Sequence, residues 1–354
     1  MRLYSNYIAK SILASVFLVL LIIVAINLLA LIIDEVQDIE GAYGFAEMLW
    51  FSVCRIPGFM VENIPFACLV GAIAGLGMLA SSNELTIIRA SGVSIARIVW
   101  MVFKPLMVVI VLGISVSQIS PGLDRDAKTH RDDLIEQDNA SRYLSWNGVW
   151  SKEGNSYIRF NNVQPNGRVF GLTRYEFDQN KALISAEFSR EANYSNNHWQ
   201  LKDVEKTRFY PDRTEVERKP EASWETPMSP DVLVLITNDP EDLTLKELWR
   251  YIAYLGQEGL DDRKHWLVLW QRLLQPLVIF SLVLVAISFI FGPLRQVTMG
   301  SRVFAGVVFG VVFKMVADML GASSVVFKFD PLLAVLLPVV FCLLLGAYLL
   351  RQVR

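Results

Sequence analysis

Six stretches of this chain, at residues 11–33, 56–80, 98–119, 266–291, 301–321 and 331–350, are almost wholly apolar. A helix needs about 20 such residues to cross a bilayer, and in that water-free interior it satisfies its backbone within itself. Each stretch is therefore predicted to be a membrane-spanning helix. The first follows MRLYSNYIAK; it is too long for the hydrophobic region of a signal peptide and has no small-residue cleavage site, so it reads as a retained span. A mean hydropathy of +0.38 fits a chain of this kind.

Three spans precede a polar insert at residues 120–265 and three follow it. Within the insert, apolar residues alternate at a period of two: Ile158 and Phe160, Phe170 and Leu172, Ile184, Ala186 and Phe188, Trp199 and Leu201. Turn signals bound these runs, PNG at 165–167, DQN at 178–180 and YSNN at 194–197. Such a pattern predicts short antiparallel strands in a sandwich or an open roll. The expected fold is membrane α-helical, six transmembrane helices arranged three plus three, with an inserted all-β domain. The divisions fall at 1–119, 120–265 and 266–354.

Orientation follows from the short loops. With the amino terminus inside, the inner ends carry Arg2, Lys10, Arg89, Arg97, Lys104, Arg295, Arg302, Arg351 and Arg354 against one acid, Glu84. The outer loop at 34–44 has Asp34, Glu35, Asp38 and Glu40 and no basic residue. Lysine and arginine accumulate on the cytoplasmic side of membrane proteins, so both termini are expected inside and the β domain outside.

Several chemistries are absent from the sequence. It has no phosphate-binding Gly-rich run before Lys-Ser/Thr, no HExxH and no Ser/His/Asp constellation, and His130, His198 and His265 are scattered. Cys54, Cys68 and Cys342 stand in apolar surroundings without CxxC spacing, so no metal or redox set is expected. The charge distribution suggests no nucleic acid as partner, and an intramembrane hydrolase is disfavoured because no nucleophile stands beside Lys314 and Asp318.

Four basic residues are candidates for holding an anionic lipid. Lys314 and Asp318 are four apart in the fifth span, hence on one helix face: either a self-neutralised pair or a cavity-lining cation. Arg55, with Glu62, flanks Pro57 at the outer end of the second span as an anchor or a polar rim. Lys128 and Arg131 share a face if the chain after the third span is helical, and such a basic pair suits a phosphate as well as it suits solvent. Asn27 is the one strongly polar residue of the first span, amid Leu, Ile and Val that suit lipid or an acyl ligand alike.

Between the second and third spans lies ASSNELTIIRASGVS, residues 80–94. Ser81 and Glu84 match a capping box, in which each side chain caps the other's backbone amide. The following LTIIRA, ended by Ser91 and Gly92, reads as a short helix exposed between two spans. Its lone acid is open to two readings, a cap or a docking charge for a partner's arginine.

GLGMLASSNELTIIRASGVS (75–94) and AISFIFGPLRQVTMGSRVFAG (286–306) resemble the two signature stretches of the LptF/LptG family of lipopolysaccharide-export permeases. The likeness extends over essentially the whole chain, and GLGMLA, NEL, RASGVS, SFIFGPLR and GVWSKEGNSYIRF favour its LptG branch. The resemblance implies a permease half that pairs with an LptF-type partner, rests on two LptB-type ATPase subunits and extracts lipopolysaccharide from the bacterial inner membrane. It also implies that the insert is a periplasmic jellyroll-like domain, akin to those of the LptC-type and LptA-type bridge proteins. This chain would then be no enzyme and bind no cofactor, with ATP and Mg used by the ATPase. The segment 81–92 would be the coupling helix, with Glu84, Leu85 and Arg89 toward the ATPase and Arg295 as an anchor or second contact. Some relatives carry lysines at the outer end of the first span where this chain has acids. The phosphate role would pass to Arg55, Lys128, Arg131 or Lys314, to divalent cations on the acids, or to the partner. The alternative to transport is a scaffold whose six spans merely anchor a β interaction domain.

Overall fold

The computed structural model describes residues 2–39, 41–136, 149–163, 168–195, 198–224, 226, 239–292 and 297–352. Six of its helices are long and apolar enough to cross a membrane. They are α1 (Arg2–Glu35), α3 (Ile56–Ser81), α5 (Ile95–Glu136), α7 (Arg263–Phe291), α8 (Met299–Val326) and α9 (Pro331–Gln352). Shorter helices are α2 (Phe45–Cys54), α4 (Glu84–Ala90) and α6 (Leu245–Glu258). Six strands, β1 (Val149–Glu153), β2 (Ser156–Val163), β3 (Arg168–Phe177), β4 (Leu183–Ser195), β5 (His198–Phe209) and β6 (Thr214–Trp224), stand between the third and fourth long helices. The expected helical membrane fold with three plus three spans and an inserted β domain is what the chain adopts.

Two compact units divide it, one of residues 1–39, 45–127 and 262–354, the other of 40–44 and 128–261. The helical unit packs around α3, which is buried over much of its length between α1, α7 and α8. Without a hydrophobic force between helices in lipid, close approach depends on small residues. Gly71 and Gly75 face α1: a Cβ on Gly71 would lie 2.6 Å from the Val16 Cα, and one on Gly75 would lie 3.1 Å from the Ile12 Cα. Gly306 and Gly310 of α8 lie against Ile73 and Phe66 of α3 in the same manner. These two small-xxx-small pairs, GAIAG and GVVFG, set both seams. On the other side, the Ser288 hydroxyl of α7 reaches the Gly346 carbonyl of α9 at 2.9 Å, where Gly346 again lets the backbones approach.

The third long helix, α5, exceeds the expected span. Its 42 residues measure about 63 Å at 1.5 Å per residue, about twice a bilayer's hydrocarbon core. It runs through Pro121, where the insert was expected to begin, because charged residues from Asp124 onward continue a helix as readily as they form a loop. Asn27, the polar residue of α1, donates to the Ile23 carbonyl at 3.0 Å and so is satisfied within its own helix.

Among the described residues the sheet is an antiparallel meander in chain order with β1 and β6 at its edges, the open form of the expected all-β insert. The turn at 178–180 forms as read, with the Asp178 carboxylate accepting from the amides of Asn180 and Ala182, both at 2.8 Å. The turns PNG and YSNN fall wholly or partly outside the described residues. One face packs Ile158, Phe160, Val169, Leu172, Trp199, Leu201, Val204 and Trp224. The ladders from β2 to β6 each skip one position on the same line, at Asn161, Gly171, Arg190, Asp203 and Pro220. Along that line Gly171 and Asp203 take positive φ, and the buried side changes phase: Val169 and Leu172, three apart, are both inside, as are Leu201 and Val204.

In β4 the apolar alternation lies on the outer side. Ile184 and Phe188 are exposed, whereas Ser185, Glu187 and Ser189 are buried. Charge pairing explains the inversion, since Glu187 accepts from Arg174 at 2.5 Å and stands 3.7 Å from Lys206.

Candidate functional site

The corner between α3 and α4 is built by a change of backbone hand. The Ser81 and Ser82 hydroxyls both turn back to the Met78 carbonyl, at 2.8 and 3.2 Å, and finish α3. Asn83 then takes φ +63, a conformation in which an asparagine costs less than most residues, and its carbonyl receives the amides of Thr86 and Ile87. The capping box expected from Ser81 and Glu84 is not formed. The first residue of a capping box is extended, as Thr244 is at the start of α6 with ψ 161, where a true box with Glu247 exists. Ser81 is still helical, because the apolar run of α3 reaches it.

Glu84 is therefore the first residue of α4, where a carboxylate complements the positive helix end. It is half-buried; the Tyr7 side chain of α1 stands beside it, and its Oε2 is buried without a hydrogen-bond partner. Leu85 and Ile88, three apart, point into the helical core. Leu85, expected among the coupling residues, is thus packed inward. Arg89 lies over the ring of Phe291 at 5.6 Å, which joins α4 to the end of α7. The outward face carries Thr86 and Ile87, and Ile87 is 61% exposed. Ile87 was not among the expected contacts, although the spacing of Leu85 and Ile88 already sets it opposite the core. The helix closes with the Ser91 hydroxyl on the Ile88 carbonyl at 2.7 Å and Gly92 at φ +87. At the other signature stretch α7 stops at Gly292, as read, while Arg295 and Pro293 lie outside the described residues.

Each of the four expected lipid-binding cations has a carboxylate beside it. Arg55 Nη1 lies 3.7 Å from Asp124 Oδ2. Gly58 makes room for that aspartate, since a Cβ there would come within 2.8 Å of it. Lys128 Nζ meets Asp242 at 2.5 Å. Arg131 meets Asp132 at 3.1 Å and also lies over the Tyr43 ring. Lys314 and Asp318 pair at 3.3 Å on an exposed face of α8. Lys128 and Arg131 are indeed on a continuing helix, as their shared face required. Arg55 and Lys314 belong to the helical unit, and Lys128 and Arg131 to the other. An anion approaching any of the four competes with a resident carboxylate, and the Lys314–Asp318 pair, costly against lipid, marks a face that suits water or protein.

Residues 6–352 match the family model described as lipopolysaccharide export system permease LptF/LptG. Among curated proteins the chain is similar to the lipopolysaccharide export system permease protein LptG of Escherichia coli strain K12. It is 28% identical to that protein over 352 residues, 98% of this chain and 97% of that one. It is 29% identical over 353 residues to the protein of the same name from Haemophilus influenzae, covering 99% of this chain and 98% of that one.

Proposed function

The chain belongs to the LptF/LptG family of lipopolysaccharide export permeases, and on that basis we propose that it is the membrane half of an exporter driven by ATPase subunits supplied in trans. Its task is to extract lipopolysaccharide from the inner membrane and pass it to a periplasmic bridge. The partners are an LptF-type permease, two LptB-type ATPase subunits and an LptC-type bridge protein. ATP and Mg belong to the ATPase, and this chain binds no cofactor. The termini and α4 are cytoplasmic and the β unit is periplasmic, a reading supported by the basic residues at the inner ends and the acids at 34–40.

The observation that carries this reading is the α3–α4 corner. It presents Thr86 and Ile87 outward, holds Glu84 half-buried at its start, and is anchored in the helical core by Leu85 and Ile88. A motor that pushed on such a helix would move the spans behind it. Glu84, the acid at the start of that helix, is the docking charge. Arg89 acts inward, through Phe291, and Arg295, four residues further along the sequence, is a second contact. The lipid phosphates meet Arg55, Lys128, Arg131 and Lys314 by displacing the carboxylates now beside them.

Purification of the full chain from its native membranes tests the reading. An ATPase, a homologous six-span protein and lipopolysaccharide should accompany it. Recovery of the chain without an ATPase would instead favour a scaffold that anchors the β unit.

A further inference from the structure

We propose that Arg302 is a positioning residue, the strut through which movement of the α3–α4 corner is passed to α8. The inference rests on the permease reading above. Arg302 stands in the first turn of α8, after the N-cap Thr298, where a cation opposes the dipole of its own helix. It is nevertheless buried, 5% exposed. Its Nη1 donates to the carbonyl of Gly77 at 3.1 Å. Gly77 lies near the carboxyl end of α3, the negative pole of that helix, so the charge unfavourable to α8 is favourable to α3.

The lack of a side chain at Gly77 completes the joint. A Cβ there would fall 2.8 Å from the Met299 sulfur and 3.6 Å from the Arg302 Cδ, so the first turn of α8 lies close on α3 at Gly77. The seam continues along Gly306 against Ile73 and Gly310 against Phe66. One face of α8 is open, with Phe304, Val311, Met315 and Met319 exposed. A tilt of the last turn of α3, from which α4 departs at Asn83, thus carries the start of α8 with it.

The test uses the complex purified with this chain and reconstituted in vesicles, with lipopolysaccharide released and ATP hydrolysed measured together. Arg302→Gln removes the charge from the joint, and the bulkier Gly77→Leu wedges it from the other side. Each should lower lipid released per ATP about tenfold, the scale of one lost charge-assisted hydrogen bond, while ATP hydrolysis persists. Arg302→Lys, which keeps charge and donor, should recover most of the ratio. An unchanged ratio in both broken variants, or hydrolysis and release falling in parallel, would overturn the strut. A wild-type complex that releases no lipopolysaccharide would instead overturn the permease reading.

Discussion

The side-chain amide of Gln275 donates to the carbonyl of Val61 at 2.8 Å, and Val61 is the residue that Pro65 leaves without its intrahelical partner. Proline has no amide hydrogen, so the carbonyl four residues before it is orphaned in a buried helix. In α3 a glutamine from α7 supplies the missing donor. Gln275→Leu should therefore destabilise the helical unit by about 1–3 kcal/mol, the cost of a buried unsatisfied acceptor. Pro65→Ala restores the backbone amide, and in that background the same substitution should cost much less. A double-mutant cycle by denaturant unfolding in detergent measures the coupling; equal costs in both backgrounds would show that the two features are independent.

The glycines differ in what surrounds them, which separates their expected effects. A methyl on Gly71 would meet the Val16 backbone, which cannot rotate away, so Gly71→Ala should cost about 1–3 kcal/mol through overpacking at the α1 seam. A methyl on Gly306 meets only the terminal carbon of Ile73, and the loss should be smaller. Gly300→Ala has open space and should be neutral or stabilising, by up to about 1 kcal/mol from the better helix former. Thermal unfolding of the three variants ranks them.

The membrane spans were legible because about 20 apolar residues have few alternatives. The end of α5 was not, since the same charged residues suit a solvated helix and a polar insert. The seams were legible in principle as GAIAG and GVVFG, a spacing that reading by hydropathy alone passes over. In β4 the pattern Ile184, Ala186, Phe188 gave the strand but not its direction, because pairing of Glu187 with Arg174 and Lys206 buries the polar side. Ser81 and Thr244 show the same limit at the candidate site. Both begin an S/T-x-x-E sequence, yet only Thr244 is extended, and what precedes the residue decides between box and helix end. At the lipid-binding candidates sequence showed the cations, but the acids beside Arg55 and Lys128 lie far along the chain, at Asp124 and Asp242.

Within the β unit, Glu187→Gln should destabilise more than Glu215→Gln. Glu187 is buried between two cations that its loss would leave facing one another, whereas Glu215 pairs at the surface with Arg213. Breaking a buried pair costs about 3–5 kcal/mol, and the partly open Arg174 and Lys206 reduce this to about 1–3 kcal/mol. The surface change should stay within about 0.5 kcal/mol. Proteolytic susceptibility of the full chain, read at the β unit, compares the two.

Orientation is open to a direct check. Single cysteines in a background lacking Cys54, Cys68 and Cys342, placed at Thr86 and at Thr214, should label from opposite sides of sealed vesicles. Labelling of Thr86→Cys from the periplasmic side would invert the topology, and with it the role given to α4.

The central claim is that the α3–α4 corner joins lipopolysaccharide extraction to a separate motor. Lipopolysaccharide release from vesicles holding the purified complex, followed against ATP hydrolysis for the wild type and Glu84→Ala, tests it most directly. The wild type should release lipopolysaccharide in an ATP-dependent manner, and the variant should either lose the ATPase subunit or hydrolyse ATP without release. Release and assembly equal to wild type in Glu84→Ala would contradict it and leave Glu84 only its place at the start of α4.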